Sequence, residues 1–514
     1  MRAGSGARAA LLLSAAVLLL LAALSPRVLP YNMDEFVHYQ PLGCAAAPAS
    51  DRLSVYREGC RLYDLQLPGT TALLPLRSYL YIGSLPVVAF YPFWKLLDDP
   101  VAVRLQGAVF FILAVGLMAR YLRARPGSVA LASLVFPVFF GCFLSDQGPV
   151  GLPVLLFLVF LLLAREAALG SAPARGIVFA ALAGLALFLG LWVKLLFAWW
   201  LPAALVLAAR EARRAALPRT RSLVLAAAAA VTFAAPSALL LLARDVEGLP
   251  YYAAVSRARV SLEPTTWLQA ADRLRIYLLV GSRAVPRILE WPPWPVDVLP
   301  ALTTAALLAW GLRRGAERRA EVALLTALGL LTFALSLPSG FTQWPHHLAF
   351  ALLFVVLALA VALEDARRGR PRFVAAAGLL ALLYWATLFA RLPQAVAQPD
   401  SGPDKDALLA FVRARELDRR TIQVHTSWGT YYIAQLFGDP ARAVVYLKSL
   451  SDHPRLLAEV RQVAEAEGRP VLLVSARRWA RLQTPAVAEA LGPPLQTYRF
   501  GDWWAVVYLK EVPN

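Results

Sequence analysis

Ionisable residues gather at the edges of long apolar runs in this chain. Asp34, Glu35 and His38 follow the first run, in "LPYNMDEFVHYQPLGC" (29–44). Asp146 lies in "FLSDQGPVG", Lys194 in "GLWVKLLFAWW", and His346 and His347 in "FTQWPHHLAF". The polar segment 244–297 adds arginines, Arg257 and Arg259 among them. A carboxylate can take a proton from an incoming hydroxyl, work that typically contributes ~10²–10⁴-fold. Lysine, arginine and histidine can neutralise a phosphate and stabilise charge on it as it leaves. A lipid-linked sugar phosphate presents its anomeric carbon near this depth with its tail still in the bilayer, and one displacement there inverts the anomeric centre.

Each residue also has a plainer reading. Paired acids just past a span can be a solvated boundary. Asp146 can terminate a helix or form an Asx turn before Gly148 and Pro149. A lysine near a helix end can snorkel. His346 and His347 can be interfacial packing, and the loop arginines can meet solvent or lipid headgroups. Their shared side of the chain's topology is what joins them, because ionisable groups are costly within a membrane.

The elements that must position these residues are helices. Of 514 residues, 59% are hydrophobic and only 16% charged. That is too little charge for a soluble protein of this length. Apolar runs recur, which indicates a polytopic α-helical membrane protein. A net charge of +18 would suggest nucleic acid in a soluble chain. Here the arginines cluster in short loops between apolar runs, so the charge reports topology and no nucleic-acid partner is expected.

Eleven stretches qualify as transmembrane helices: about 10–30, 101–119, 127–143, 151–164, 176–192, 195–209, 222–243, 298–312, 320–337, 347–363 and 373–391. The start (1–30) could be a signal peptide, but it lacks a clear cleavage site and is read as a retained span. With the N-terminus inside, five short inner loops all carry arginine: 120–125, 165–175, 210–221, 313–319 and 367–372. The segment 79–97 is apolar enough to cross, yet counting it would reverse every later loop. It is expected to be an interfacial or re-entrant helix, held by its Tyr, Phe and Trp residues. The outer side then holds 31–100, 144–150, 244–297 and 338–346.

Residues 392–514 are too polar for a membrane and also fall outside. "RTIQVHT" and "RPVLLVSA" read as buried strands, and "SDHPRLLAEVRQVAEAEG" as a helix capped by Ser451 or Asp452. The chain thus divides into a membrane domain, 1–391, and a C-terminal extracytoplasmic α/β domain, 392–514. Trp428, Tyr431 and Tyr432 either pack into that domain's core or stack on a sugar. Cys44 and Cys60 share the first polar loop and could form a disulfide in an oxidising compartment, or be free thiols. The Ala/Leu/Arg-rich usage suggests a GC-rich genome and a bacterial plasma membrane.

This layout resembles the GT-C superfamily of polyprenyl-phosphate-sugar-dependent glycosyltransferases, with protein O-mannosyltransferases and lipid A aminoarabinose transferases as the nearest groups. The resemblance covers roughly 1–391. "MDEFVHY" looks like the first-loop Asp-Glu motif, which implies Asp34 as catalytic base and Glu35 as a residue holding the acceptor or the site. "LSDQGPVGLPVLLFL" looks like the second acidic motif and implies a supporting role for Asp146. "LGLWVKLLFAWWLPAAL" is similar to the Leu-Thr-Lys-Gly-Pro stretch and "WPHHLAFALLFVVLALA" to a segment opening a late span. These imply Lys194, His346 and His347 at the donor phosphate, with His38, Arg257 and Arg259 in support. The Gly-Pro after the lysine is replaced by "LLF", and the tyrosine and proline of the late segment are absent, which leaves the subfamily and the sugar open.

The resemblance implies an inverting transfer of one sugar from a polyprenyl-phosphate donor to a protein, lipid or glycan hydroxyl at the outer face. A transferase of preassembled oligosaccharide is the second enzymatic reading. Asp34, Glu35 and Asp146 could hold a divalent cation, although hard cations usually want more oxygen ligands; no other cofactor is indicated. A lipid-linked-sugar flippase is the non-enzymatic reading. Transporters place ionisable groups near the midplane and often show repeats, whereas here the midplane residues are Leu, Ala, Val and Phe.

Overall fold

The computed structural model describes residues 36–46, 64–79, 81–144, 149–170, 172–251, 263–279, 295–313, 315–338, 345–395, 403–438, 442–447, 454–475 and 484–512. Among them, eight helices are long and apolar enough to cross a membrane: Val101–Leu122, Gly151–Leu169, Pro173–Val193, Leu195–Arg214, Arg219–Leu242, Glu317–Ser336, His346–Gly369 and Pro371–Leu388. Each matches one of the expected spans, and the chain is a multi-pass membrane protein.

Two other expected spans differ in form. The stretch 127–143 is not straight: Pro126–Val135 and Pro137–Phe143 meet at 105°. Pro137 disfavours helical backbone at the residue before it, and Phe136 adopts φ −113, ψ 81. Beside the break, the Leu134 carbonyl accepts a 2.8 Å hydrogen bond from the Trp385 indole. The stretch 298–312 is a short apolar helix, Val296–Leu312. The expected first span, 10–30, lies outside the described residues.

The centre of the bundle is the helix Pro345–Gly369, which is apolar all round between its first turn and Glu364; 94% of its apolar window is buried. By contrast only 17% of the window in Arg219–Leu242 is buried, so that helix lies at the rim. It still packs closely on Pro173–Val193, where a Cβ on Gly184 would stand 2.1 Å from the Ala229 carbonyl oxygen. Small residues at 176, 180 and 184 permit that approach.

The arginine-bearing loops share one end of the bundle. Arg165 pairs with Glu211 at 3.1 Å and Arg210 with Glu321 at 2.8 Å. Glu364 accepts from the Arg125 amide at 3.2 Å and the Ser128 hydroxyl at 2.9 Å. Arg120 lies 3.8 Å from Glu166, and Arg370 stacks on Trp310 at 5.3 Å. These contacts link all five loops that the positive-inside rule grouped.

At the other end the connecting segments form small sheets. β1 (Leu65–Gln66) lies between β2 (Leu73–Leu74) and β5 (Arg244–Asp245), all antiparallel. β3 (Arg77–Tyr79) and β4 (Ile82–Gly83) make a hairpin. The apolar segment 79–97 yields the end of that hairpin and then a 13-residue helix, Leu85–Leu97, too short to cross. Val87 and Phe90 are buried while Val88, Tyr91 and Leu96 are exposed, the pattern of a helix lying along a surface.

The C-terminal region is α/β. β6 (Ile422–His425), β7 (Ala443–Tyr446), β8 (Val471–Ser475), β9 (Gln496–Phe500) and β10 (Trp503–Tyr508) form a sheet in the order β7-β6-β8-β10-β9. β6 runs parallel to both neighbours, and β10 antiparallel to both of its own. The two strands and the helix (Pro454–Glu467) expected from sequence are present; Ser451 and Asp452 lie outside the described residues. Tyr431 and Tyr432 are buried in a cluster with Phe36, Tyr39 and Phe90, so they serve packing against the first polar segment. Trp94 donates to the Leu436 carbonyl at 2.9 Å and reinforces that joint.

Candidate functional site

Lys194 occupies the turn between two antiparallel spans. Pro173–Val193 ends at it, and a 3-10 turn, Leu195–Trp200, starts after it. Lys194 itself is extended (φ −157, ψ 120), and its backbone forms an antiparallel bridge with Ile82 of β4. The Leu195 amide donates to the Tyr81 carbonyl at 3.0 Å, and the Trp192 indole to the Leu76 carbonyl at 2.8 Å. The hairpin therefore clamps the turn on both sides of the lysine.

The Lys194 side chain is fully buried. Its ammonium lies 5.7 Å from the Tyr81 ring centre and 5.8 Å from that of Phe350, within cation–π range. The Tyr81 hydroxyl is 3.0 Å from Nε2 of His347. His346 and His347 are in ring contact at 4.1 Å, and both Lys194 and His38 act electrostatically on His346. His38 is buried and packs on Tyr39 at 4.1 Å. The Tyr39 hydroxyl donates to Gln106 at 2.9 Å. Four of the residues singled out from sequence, His38, Lys194, His346 and His347, thus meet at the end of the bundle opposite the arginine loops.

Two more cations stand at this end. Arg104 is buried in the first turn of Val101–Leu122. Arg77 is buried, 3.7 Å from Asp245 and over the Tyr251 ring at 5.8 Å. Burial pushes the Tyr251 hydroxyl well above its usual pKa, and the Arg77 charge works against that. Sequence reasoning missed Tyr81, Arg77, Arg104 and Gln106. The arginine in "VAVRLQGAVFF" was a readable signal, since a lone charge in an apolar run needs a reason.

Asp34, Glu35, Asp146, Arg257, Arg259 and Cys60 lie outside the described residues. Cys44 is disulfide-bonded, and Cys142 is a free, buried thiol. Among the described residues no group of three or more His, Cys, Asp and Glu is placed to hold a metal. The described cluster suits an anion: one ammonium, with imidazoles and a tyrosine hydroxyl around it.

In solved structures the same architecture occurs in ArnT from Cupriavidus metallidurans bound to undecaprenyl phosphate, with 14% identity, 97% of both chains covered and a TM-score of 0.53. The chain thus shares the fold of that ArnT. The apo state of that ArnT aligns at 17% identity over 98% of both chains with a TM-score of 0.44. An oligosaccharyltransferase from Archaeoglobus fulgidus, in complex with Zn and sulfate, aligns at 13% identity over 90% of this chain and 67% of its own, with a TM-score of 0.35. No family model and no curated protein matches the chain. Among the described residues, His38, Lys194, His346 and His347 lie at the end where the α/β region packs.

Proposed function

We propose that this chain is an inverting glycosyltransferase that moves a sugar from a polyprenyl-phosphate donor to an acceptor hydroxyl at the outer membrane face. The observation that carries the reading is the buried ammonium of Lys194, held in a turn beside His346 and His347. A lipid phosphate arriving at the end of the helices would find its counter-charge there. The ArnT structure that shares the fold carries undecaprenyl phosphate, which supports a donor of this class.

Asp34, four residues before His38 in the chain, removes the acceptor proton. The acceptor oxygen attacks the anomeric carbon, the bond from that carbon to the phosphate oxygen breaks, and polyprenyl phosphate leaves with the electron pair. Lys194 offsets the charge on that phosphate, and His346 and His347 complete its surroundings. Glu35 holds the acceptor or the site, and Asp146, His38, Arg257 and Arg259 support it. By the positive-inside rule the arginine end is cytoplasmic. The site, the C-terminal domain (392–514) and a Cys44–Cys60 disulfide then face outward from the plasma membrane.

The test is to offer the purified protein, reconstituted in liposomes, a panel of polyprenyl-phosphate sugars. The proposal expects one donor to be consumed, with inverted anomeric configuration in the product. Movement of an intact donor across the bilayer without consumption would favour a flippase and contradict transfer.

A further inference from the structure

At the arginine-bearing end, a cleft of about 580 Å³ runs between the helices Leu201–Arg214 and Ala316–Ser336. One wall is Val206, Ala209, Arg210 and Arg213; the other includes Leu324, Glu321, Ala320 and Glu317. Each set has the spacing of one helical stripe. The helices run in opposite directions, so Val206 and Leu324 meet at the deep end and the charges meet at the mouth. Ala209 and Ala320 leave the space between open.

Most of the charge in this cleft is already matched. Arg210 reaches Glu321 at 2.8 Å, Arg318 reaches the same carboxylate at 3.3 Å, and Arg214 lies 3.9 Å from Glu211. Arg213 and Glu317 remain. Both are exposed, and among the described residues neither side chain has a hydrogen-bond or ion-pair partner. Leu205 and Val206, on the same helix, are exposed below them.

An apolar trough with one spare cation and one spare anion at its mouth is complementary to an amphiphile whose head carries both signs. We propose that this cleft binds a phosphatidylethanolamine-type phospholipid. Its phosphate sits on Arg213 with Arg214 beside it, its primary ammonium donates to Glu317, and one acyl chain lies along Val206 and Leu324. A purely anionic head would be repelled by Glu317, and a choline head has no N–H to donate to it.

The test uses full-length protein, delipidated in detergent and titrated with phosphatidylethanolamine, phosphatidylglycerol and phosphatidylcholine of matched chains, read by native mass spectrometry. The ethanolamine lipid should be retained about tenfold better than the choline lipid. Glu317→Gln should erase its advantage over phosphatidylglycerol, and Arg213→Gln should weaken both. Thermal unfolding in lipid-free detergent should be unchanged in both variants, since both residues are exposed. Equal retention of the three lipids, a preference for phosphatidylglycerol, or a preference untouched by either change would overturn the proposal. The readout involves no turnover, so it stands or falls separately from the chemistry proposed at the opposite end.

Discussion

The Tyr81 hydroxyl lies 3.0 Å from Nε2 of His347, a residue 266 positions further along the chain. This contact ties the first polar segment to the central helix, and the Tyr81 ring also faces the Lys194 ammonium at 5.7 Å. Tyr81 therefore touches both the cation and the imidazole that the proposed mechanism assigns to the donor phosphate.

Tyr81→Phe keeps the ring and removes the hydroxyl. Loss of one buried hydrogen bond should lower stability by about 0.5–1.5 kcal/mol. Donor turnover should fall further than that loss of folded protein explains, because His347 loses the Tyr81 hydroxyl that helps to orient it. Thermal unfolding and initial rates, measured on the same preparation, separate the two effects.

Gly83→Ala tests the clamp on Lys194. A Cβ there would stand 2.0 Å from the Trp192 carbonyl oxygen and 2.4 Å from its ring. The hairpin must then shift off the turn, at a cost of about 1–3 kcal/mol. Gly116→Ala, with nothing within 4 Å of the new methyl, is the control and should leave stability unchanged or slightly raised. Differential scanning fluorimetry of the two variants makes the comparison.

Much of this was legible in the sequence, for physical reasons that differ by residue. The arginines at 120–125, 165–175, 210–221, 313–319 and 367–372 reported one end of the bundle because charge is excluded from the apolar core between them. Lys194, His346 and His347 were readable as ionisable residues at span ends. The bend at Pro137 was not read, because hydropathy averages over a kink, although the proline itself marked it. Tyr81 and Gln106 were hidden for another reason. A tyrosine in an apolar segment or a glutamine near a helix start carries no local signature, and the hairpin's pairing with residue 194 is what brings Tyr81 to the site.

The α/β region offers a pH test. Burial pushes His425 down from 6.5 to about 3, so the folded chain holds it neutral; its Nε2 lies 2.9 Å from Oε1 of Gln423. The unfolded chain binds a proton on this residue below 6.5 while the folded chain does not. Its contribution is thus present above that pH and is lost as pH falls towards about 3, with a slope of up to about 1.4 kcal/mol per unit. Urea unfolding of wild type should weaken from pH 7 to pH 4, and His425→Gln should flatten that dependence.

Lys194→Gln removes the buried ammonium and retains a hydrogen-bond donor. If the charge offsets the leaving phosphate, kcat should fall about 10²–10³-fold, and Lys194→Arg should recover little, because a planar guanidinium does not put its charge where the compact ammonium stands beside Tyr81 and Phe350. Single-turnover rates with the consumed donor make the measurement.

The central claim is that a carboxylate beside the first span and the Lys194 cluster act on one bound donor. Asp34→Asn, assayed for both donor binding and turnover, tests it most directly. The account predicts that the variant binds the polyprenyl-phosphate sugar as tightly as wild type while turnover falls by about 10²–10⁴-fold. Undiminished turnover in Asp34→Asn would contradict it.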